Sequence, residues 1–132
     1  VHREDAPLLK VGSSSLTLTE DGETIRVGRL PIKVLHTPGH TPGSQCFLVR
    51  GRVLTGDTLF IKACGRTDLP GGDPEQLYES LMYKLGALSE ATILCPGHNY
   101  AEVPASTIGD EKRTNPFLQL PTVDEFLRLV GR

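Results

Sequence analysis

The stretch T-P-G-H-T-P-G-S, from Thr37 to Ser44, decides how the rest of this chain is read. It sets His40 between two Pro-Gly pairs. Proline fixes φ, and glycine admits φ > 0 and close backbone approach, so the loop has little freedom. That suits a side chain that must meet a metal within tenths of an ångström. A lone histidine is more often structural, but two further motifs change the balance. T-G-D-T, Thr55 to Thr58, delivers Asp57 directly after an apolar strand. C-P-G-H-N-Y, Cys95 to Tyr100, repeats the strand–Pro-Gly–His construction and ends on His98. A carboxylate in a glycine turn can be occupied by nearby backbone N–H groups, or it can bridge two cations through its two oxygens. Spacings of 17 residues from His40 to Asp57 and 41 from Asp57 to His98 fit ligands gathered from separate strands, not a zinc finger. Imidazole with carboxylate suits Zn²⁺, Fe²⁺ or Mn²⁺ and does not suit Ca²⁺. Two histidines and one carboxylate leave positions open for water and substrate, and a metal there lowers the pKa of bound water to roughly 7.

The 132 residues fit one domain, with the 38% apolar and 23% charged composition of a soluble protein. A net charge of −2 gives no electrostatic footprint for nucleic acid or an anionic membrane surface, so neither is an expected partner. No apolar run approaches the ~20 residues of a bilayer span, and no signal-peptide pattern is present. Cys46, Cys64 and Cys95 are odd in number and lack C-x-x-C spacing, which points to a reducing, cytoplasmic compartment and to small buried thiols. Cys64 and Cys95 lie near the candidate site in sequence. Of the other histidines, His2 reads as structural and His36 as a neighbour of the site. No G-x-S-x-G elbow supports serine chemistry.

Alternation of Leu16 and Leu18 with Thr17 and Thr19 predicts a strand, turned at Asp21-Gly22 into a second strand over Thr24–Val27. Ile32–Leu35, Gln45–Val49, Val53–Thr55 and Thr92–Cys95 read as further strands, with Gln45–Val49 buried on both faces. A short helix is expected over Glu4–Leu9. Asp73 caps a helix with Pro74 in its first turn and Gln76 completing a capping box, and Leu77, Leu81, Leu85 and Leu88 form its apolar stripe. Thr107 with Asp110 and Thr122 with Glu125 open two more helices. The order implies an α/β layered arrangement of one sheet packed against helices.

His40 in T-P-G-H-T-P-G-S, Asp57 in L-T-G-D-T-L-F, C-G-R-T-D at Cys64–Asp68 and P-G-H-N-Y at Pro96–Tyr100 together resemble the metallo-β-lactamase superfamily. The branch they resemble is the glyoxalase II and persulfide dioxygenase group. The segment S-T-I-G-D-E-K-R-T-N-P-F-L, Ser106 to Leu118, is similar to short bacterial members. The resemblance implies part of an αββα sandwich, with a largely antiparallel or mixed sheet, helices outside and metals at one edge. It implies that His40 binds a first metal, His98 a second, and that Asp57 bridges them as the catalytic carboxylate. Arg66 would hold a glutathione carboxylate and Tyr100 would line the pocket.

The family's H-x-H-x-D-H motif does not occur here, and V-H-R-E-D around His2 does not match it. The expectation is therefore a single domain over residues 1–132 that forms the C-terminal portion of a longer enzyme. The function implied is a metal-dependent hydrolase using one or two Zn²⁺, or Fe²⁺. It would cleave a thioester such as a hydroxyacylglutathione by means of a metal-bound hydroxide. A persulfide dioxygenase with mononuclear iron is the alternative, favoured by Asp68, which stands where glyoxalase II carries a tyrosine. A non-catalytic half-domain that binds a partner is the third reading. The expected small-molecule partner is a glutathione-derived thiol or thioester, and self-association into a homo-oligomer is compatible with all three.

Overall fold

A computed structural model describes residues 1–131. Strand β1 (Thr24–Val27) folds back across Gly28-Arg29 onto β2 (Leu30–His36), pairing Val27 with Leu30. β2 runs antiparallel to β3 (Gln45–Val49), and β3 antiparallel to β4 (Arg52–Gly56). The chain then makes a separate small hairpin, β5 (Leu59–Phe60) with β6 (Ala63–Cys64). It crosses through helix α1 (Pro74–Glu79) and returns as β7 (Ile93–Pro96), parallel to β4. β8 (Ser106–Thr107) closes that edge, followed by α2 (Ile108–Thr114) and α3 (Val123–Leu129). The main sheet has the order β1-β2-β3-β4-β7-β8. It is the mixed α/β arrangement, mostly antiparallel, that the sequence predicts.

The α1 start forms at the expected cap but without the expected capping box, since the Asp73 N–H donates to the Gly39 carbonyl (2.8 Å) and not to Gln76. Asp73 accepts the N–H groups of Glu75 (2.9 Å) and Gln76 (3.1 Å), and Pro74 occupies the first turn, where a missing N–H costs nothing. The helix continues through a wider turn over Ser80–Leu85, so Leu77, Leu81 and Leu85 stay on one side. They pack with Phe126 of α3 and Ile108 of α2 against Cys46, Val53 and Leu94 of the sheet. Strand alternation sends Phe47, Leu54, Ile93 and Cys95 to the opposite face. There Leu54 is 42% and Ile93 38% exposed, so this second sheet face is apolar and open.

Several local expectations need correction. Leu16–Thr19 is not a strand; Thr19 makes only an isolated bridge with His2, because Val1 takes the local backbone bonds through Thr19 N–H (2.9 Å) and Thr17 C=O (3.0 Å). Asp21-Gly22 is a turn but not a hairpin: its carboxylate accepts the His36 N–H at 2.8 Å, and the hairpin falls at Gly28-Arg29. Glu4–Leu9 shortens to one 3₁₀ turn over Ala6–Leu8, as the Pro7 ring limits helix growth. Gln45–Val49 is a strand, yet only Cys46 is fully buried, since Phe47 and Val49 lie on the open face.

Candidate metal centre

Parallel strands end at the same edge of a sheet, and β4 and β7 therefore deliver Asp57 and His98 side by side. Gly97 N–H donates to the Gly56 carbonyl (2.8 Å) and locks the two strand ends together. Nδ1 of His98 stands 2.8 Å from Oδ1 of Asp57. His40 arrives from the other side, on the loop between β2 and β3. That loop is closed by Thr37 N–H to the Ser44 carbonyl (2.8 Å) and fastened to the α1 start by Asp73 N–H to the Gly39 carbonyl (2.8 Å). Of its two glycines only Gly39 takes positive φ, at 144°; Gly43 is needed for space. Nε2 of His40 stands 3.7 Å from Oδ2 of Asp57. Each carboxylate oxygen of Asp57 thus addresses a different histidine, which places His40 and His98 on either side of Asp57.

The donor set fits a metal ion. Nδ1 of His40 lies 2.7 Å from the Arg66 carbonyl, which can only accept, so Nδ1 carries the hydrogen. In the neutral ring Nε2 then presents a lone pair to the carboxylate, two acceptors facing each other, and a cation satisfies both. Ligands at about 2.1 Å from one ion lie no more than about 4.2 Å apart. Each His–Asp57 separation meets that limit, but the ligating atoms of all three side chains do not lie within 4.8 Å of one another, so in this geometry the two histidines meet at Asp57 and not on one ion. By contrast, the cluster of His2, Glu4 and His36 does not fit, although its ligating atoms lie within 4.8 Å of one another. Nδ1 of His2 already accepts the Glu4 N–H (3.2 Å) and Nε2 of His36 faces the Pro42 carbonyl (2.8 Å). The two rings are stacked, 3.9 Å apart and 7° from parallel, so their in-plane lone pairs cannot converge on one ion.

Around the centre, Tyr100 stacks on His98 (5.2 Å, 15°) and Phe60 meets both rings edge-on (5.9 and 5.0 Å). Together with Cys64, Gly65 and Arg66 they line a cavity of about 410 Å³ that contains His40 and Asp57. Arg66 lines this cavity, and its guanidinium is forked onto Asp68 (2.6 and 2.8 Å). That fork holds the Asp68 carboxyl at about 2. Burial pushes the Cys64 thiol up to about 12 and the Cys46 thiol up to about 11, so neither is a nucleophile near neutral pH.

Sequence reading missed Phe60, Gly65 and the Arg66 carbonyl. The glycine in C-G-R was the available signal. A Cβ at Gly65 would lie 1.8 Å from the Asp57 carbonyl oxygen and 3.4 Å from Cβ of His40. Gly65→Ala is therefore expected to destabilise the fold by about 2 kcal/mol, as overpacking against backbone does, and to weaken metal binding at the same time. Urea denaturation with a metal titration checks this; unchanged midpoint and affinity would refute the close contact.

A sequence profile of the Metallo-beta-lactamase superfamily matches residues 5–98, more than half of the chain. The chain belongs to that superfamily. It is 38% identical over 114 residues to the persulfide dioxygenase ETHE1 of human mitochondria, covering 85% of this chain and 44% of that protein. The crystal structure of ETHE1 from Myxococcus xanthus superposes with a TM-score of 0.82 at 39% identity, over 87% of this chain and 51% of that one. TTHA1623, solved in a di-iron-bound form, gives a TM-score of 0.70 at 38% identity, over 89% and 63% of the two chains. The chain thus spans about half the length of the curated relatives it matches. Among the described residues no helix is long and apolar enough to cross a membrane.

Proposed function

We propose that this chain supplies His40, Asp57 and His98 to the metal centre of an enzyme acting on a small sulfur-containing substrate, and that oxidation of a persulfide with O₂ is its reaction. The observation that carries the metal site is the facing of His40 Nε2 and Asp57 Oδ2 across 3.7 Å, with His98 on the other carboxylate oxygen. Within the superfamily, likeness to the human persulfide dioxygenase ETHE1, and to the ETHE1 structure from Myxococcus xanthus, favours the oxygen-dependent reaction. Bound here, Fe²⁺ would supply O₂ activation and Zn²⁺ a Lewis acid. The chain's own residues do the rest. The Arg66 carbonyl fixes the His40 tautomer, and Phe60 and Tyr100 pack against the His98 ring. Arg66 offers the N–H groups that Asp68 leaves free to a glutathione carboxylate.

Thioester hydrolysis at a two-metal centre is the second reading. It is favoured by the way Asp57 turns one oxygen to each histidine and by the di-iron form of a similar structure. The open apolar face of Phe47, Leu54 and Ile93 supports an added role in pairing with a further polypeptide, a second copy included. Three free thiols and no disulfide among the described residues suit a cytoplasmic protein. Loaded with Fe²⁺, the protein is expected to consume O₂ with glutathione persulfide and to leave a hydroxyacylglutathione intact. Thioester cleavage by the Zn²⁺ form without O₂ uptake in the Fe²⁺ form would move the assignment to the hydrolase.

A further inference from the structure

Asp5 begins a single 3₁₀ turn, Ala6–Leu8, where an aspartate ordinarily caps its own helix. Its side chain makes no such bond. It crosses instead to the loop that carries His40. Oδ1 accepts the N–H of Gly43 at 2.7 Å, and Oδ2 accepts the hydroxyl of Thr41 at 2.5 Å. Thr41 is tied in turn to Ser44, whose Oγ lies 3.0 Å from the Thr41 N–H and 2.8 Å from its hydroxyl. The approach is close enough that a Cβ at Gly43 would lie 2.6 Å from the Asp5 carboxyl carbon. The segment bearing Asp5 is itself anchored. The N–H groups of Asp5 and Ala6 both donate to the His2 carbonyl (3.1 and 3.2 Å), and His2 stacks on His36, whose Nε2 reaches the Pro42 carbonyl at 2.8 Å.

We propose that Asp5 is a positioning residue for His40. Its carboxyl group fixes Thr41, next to the ligand in sequence, and Gly43, two residues further on, so that Nε2 of His40 stays aimed at Asp57 without a metal to hold it there. Groups one shell out from a metal act in this way by orienting ligands before binding. The proposal rests on the reading of His40 as a metal ligand.

The test uses the full 132-residue chain and Zn²⁺ or Co²⁺, with affinity measured by competition against a chromophoric chelator. Asp5→Ala is expected to weaken binding about tenfold, the range found for such supporting residues. Asp5→Asn is expected to restore most of it, because its amide accepts from Gly43 and can donate to Thr41. In the metal-free protein, Asp5→Ala is expected to speed hydrogen exchange at the Gly43 amide. Thr41→Val, which removes one of the two bonds, is expected to fall between wild type and Asp5→Ala and keeps the test open should the alanine variant not fold. His40→Ala is the control. Loss of metal in His40→Ala with wild-type affinity in Asp5→Ala and Thr41→Val overturns the role of Asp5 alone. Wild-type affinity in His40→Ala, or no binding by the unsubstituted chain, overturns the ligand reading and this proposal together.

Discussion

Glu111→Ala is expected to cost the fold about 3 kcal/mol, the sum of a lost hydrogen-bond hub and the buried donors it strands. Glu111 is 1% exposed, on α2, and its carboxyl group gathers three donors: the Lys62 N–H (2.7 Å), the Ser106 hydroxyl (2.5 Å) and the Asn115 amide (3.0 Å). Asn115, also buried, passes the link on to the carbonyls of Phe60 (3.3 Å) and Ala63 (3.1 Å). Glu111 and Asn115 therefore clamp the turn of the β5–β6 hairpin, Phe60 to Ala63, onto α2 and its C-terminal end. Lys62, at the turn of that hairpin, has φ of 58°, a left-handed conformation that costs a non-glycine residue about 1 kcal/mol. The Glu111 bond holds it there. Truncation to alanine removes the acceptor and leaves Lys62 both strained and unpaired. Glu111→Gln keeps one carbonyl oxygen in place, and its cost is expected to stay near 1 kcal/mol. Urea denaturation of the three proteins measures the differences, and an alanine variant within 1 kcal/mol of wild type would refute the clamp. The effect should reach the metal centre, because the hairpin leads directly into Gly65 and into Arg66, whose carbonyl holds His40.

The hairpin also shows where sequence reading stopped. The strands of the main sheet are written locally, as apolar runs bounded by glycine and proline, and β2, β3, β4 and β7 lie where those runs predict. The α1 start is equally local, since Asp73, Pro74 and the leucine stripe each act within a few residues. The segment L-F-I-K-A-C carries no turn signal: its reversal at Lys62 is enforced by a carboxyl group 49 residues away. Similarly, the alternation at Leu16–Thr19 resembles a strand but is answered by the Val1–His2 segment, with no strand edge beside it. The placement of His40, Asp57 and His98 around one sheet edge was legible because a Pro-Gly or Gly-Asp corner after a strand is a local device. Which nitrogen of His40 faces Asp57 was not legible, because a backbone carbonyl at Arg66 sets it.

Asp57→Asn is expected to have the largest effect on metal binding, a loss on the order of 100-fold or more, beyond the range found for supporting residues alone. The substitution keeps the size of the side chain but not its chemistry. Asparagine presents one neutral oxygen and turns an NH₂ group toward the second histidine, so it can no longer offer an acceptor to both His40 and His98. Because the side chain is partly exposed and sits at a strand end, the metal-free denaturation midpoint should change little. Binding within fivefold of wild type would remove Asp57 from the ligand set. Stoichiometry then separates the one-metal and two-metal readings. If Oδ1 and Oδ2 serve two ions, His40→Ala and His98→Ala should each leave one ion bound to the protein carrying the whole centre. If all three side chains share one ion, either alanine substitution should release it, and the dinuclear hydrolase reading falls with it.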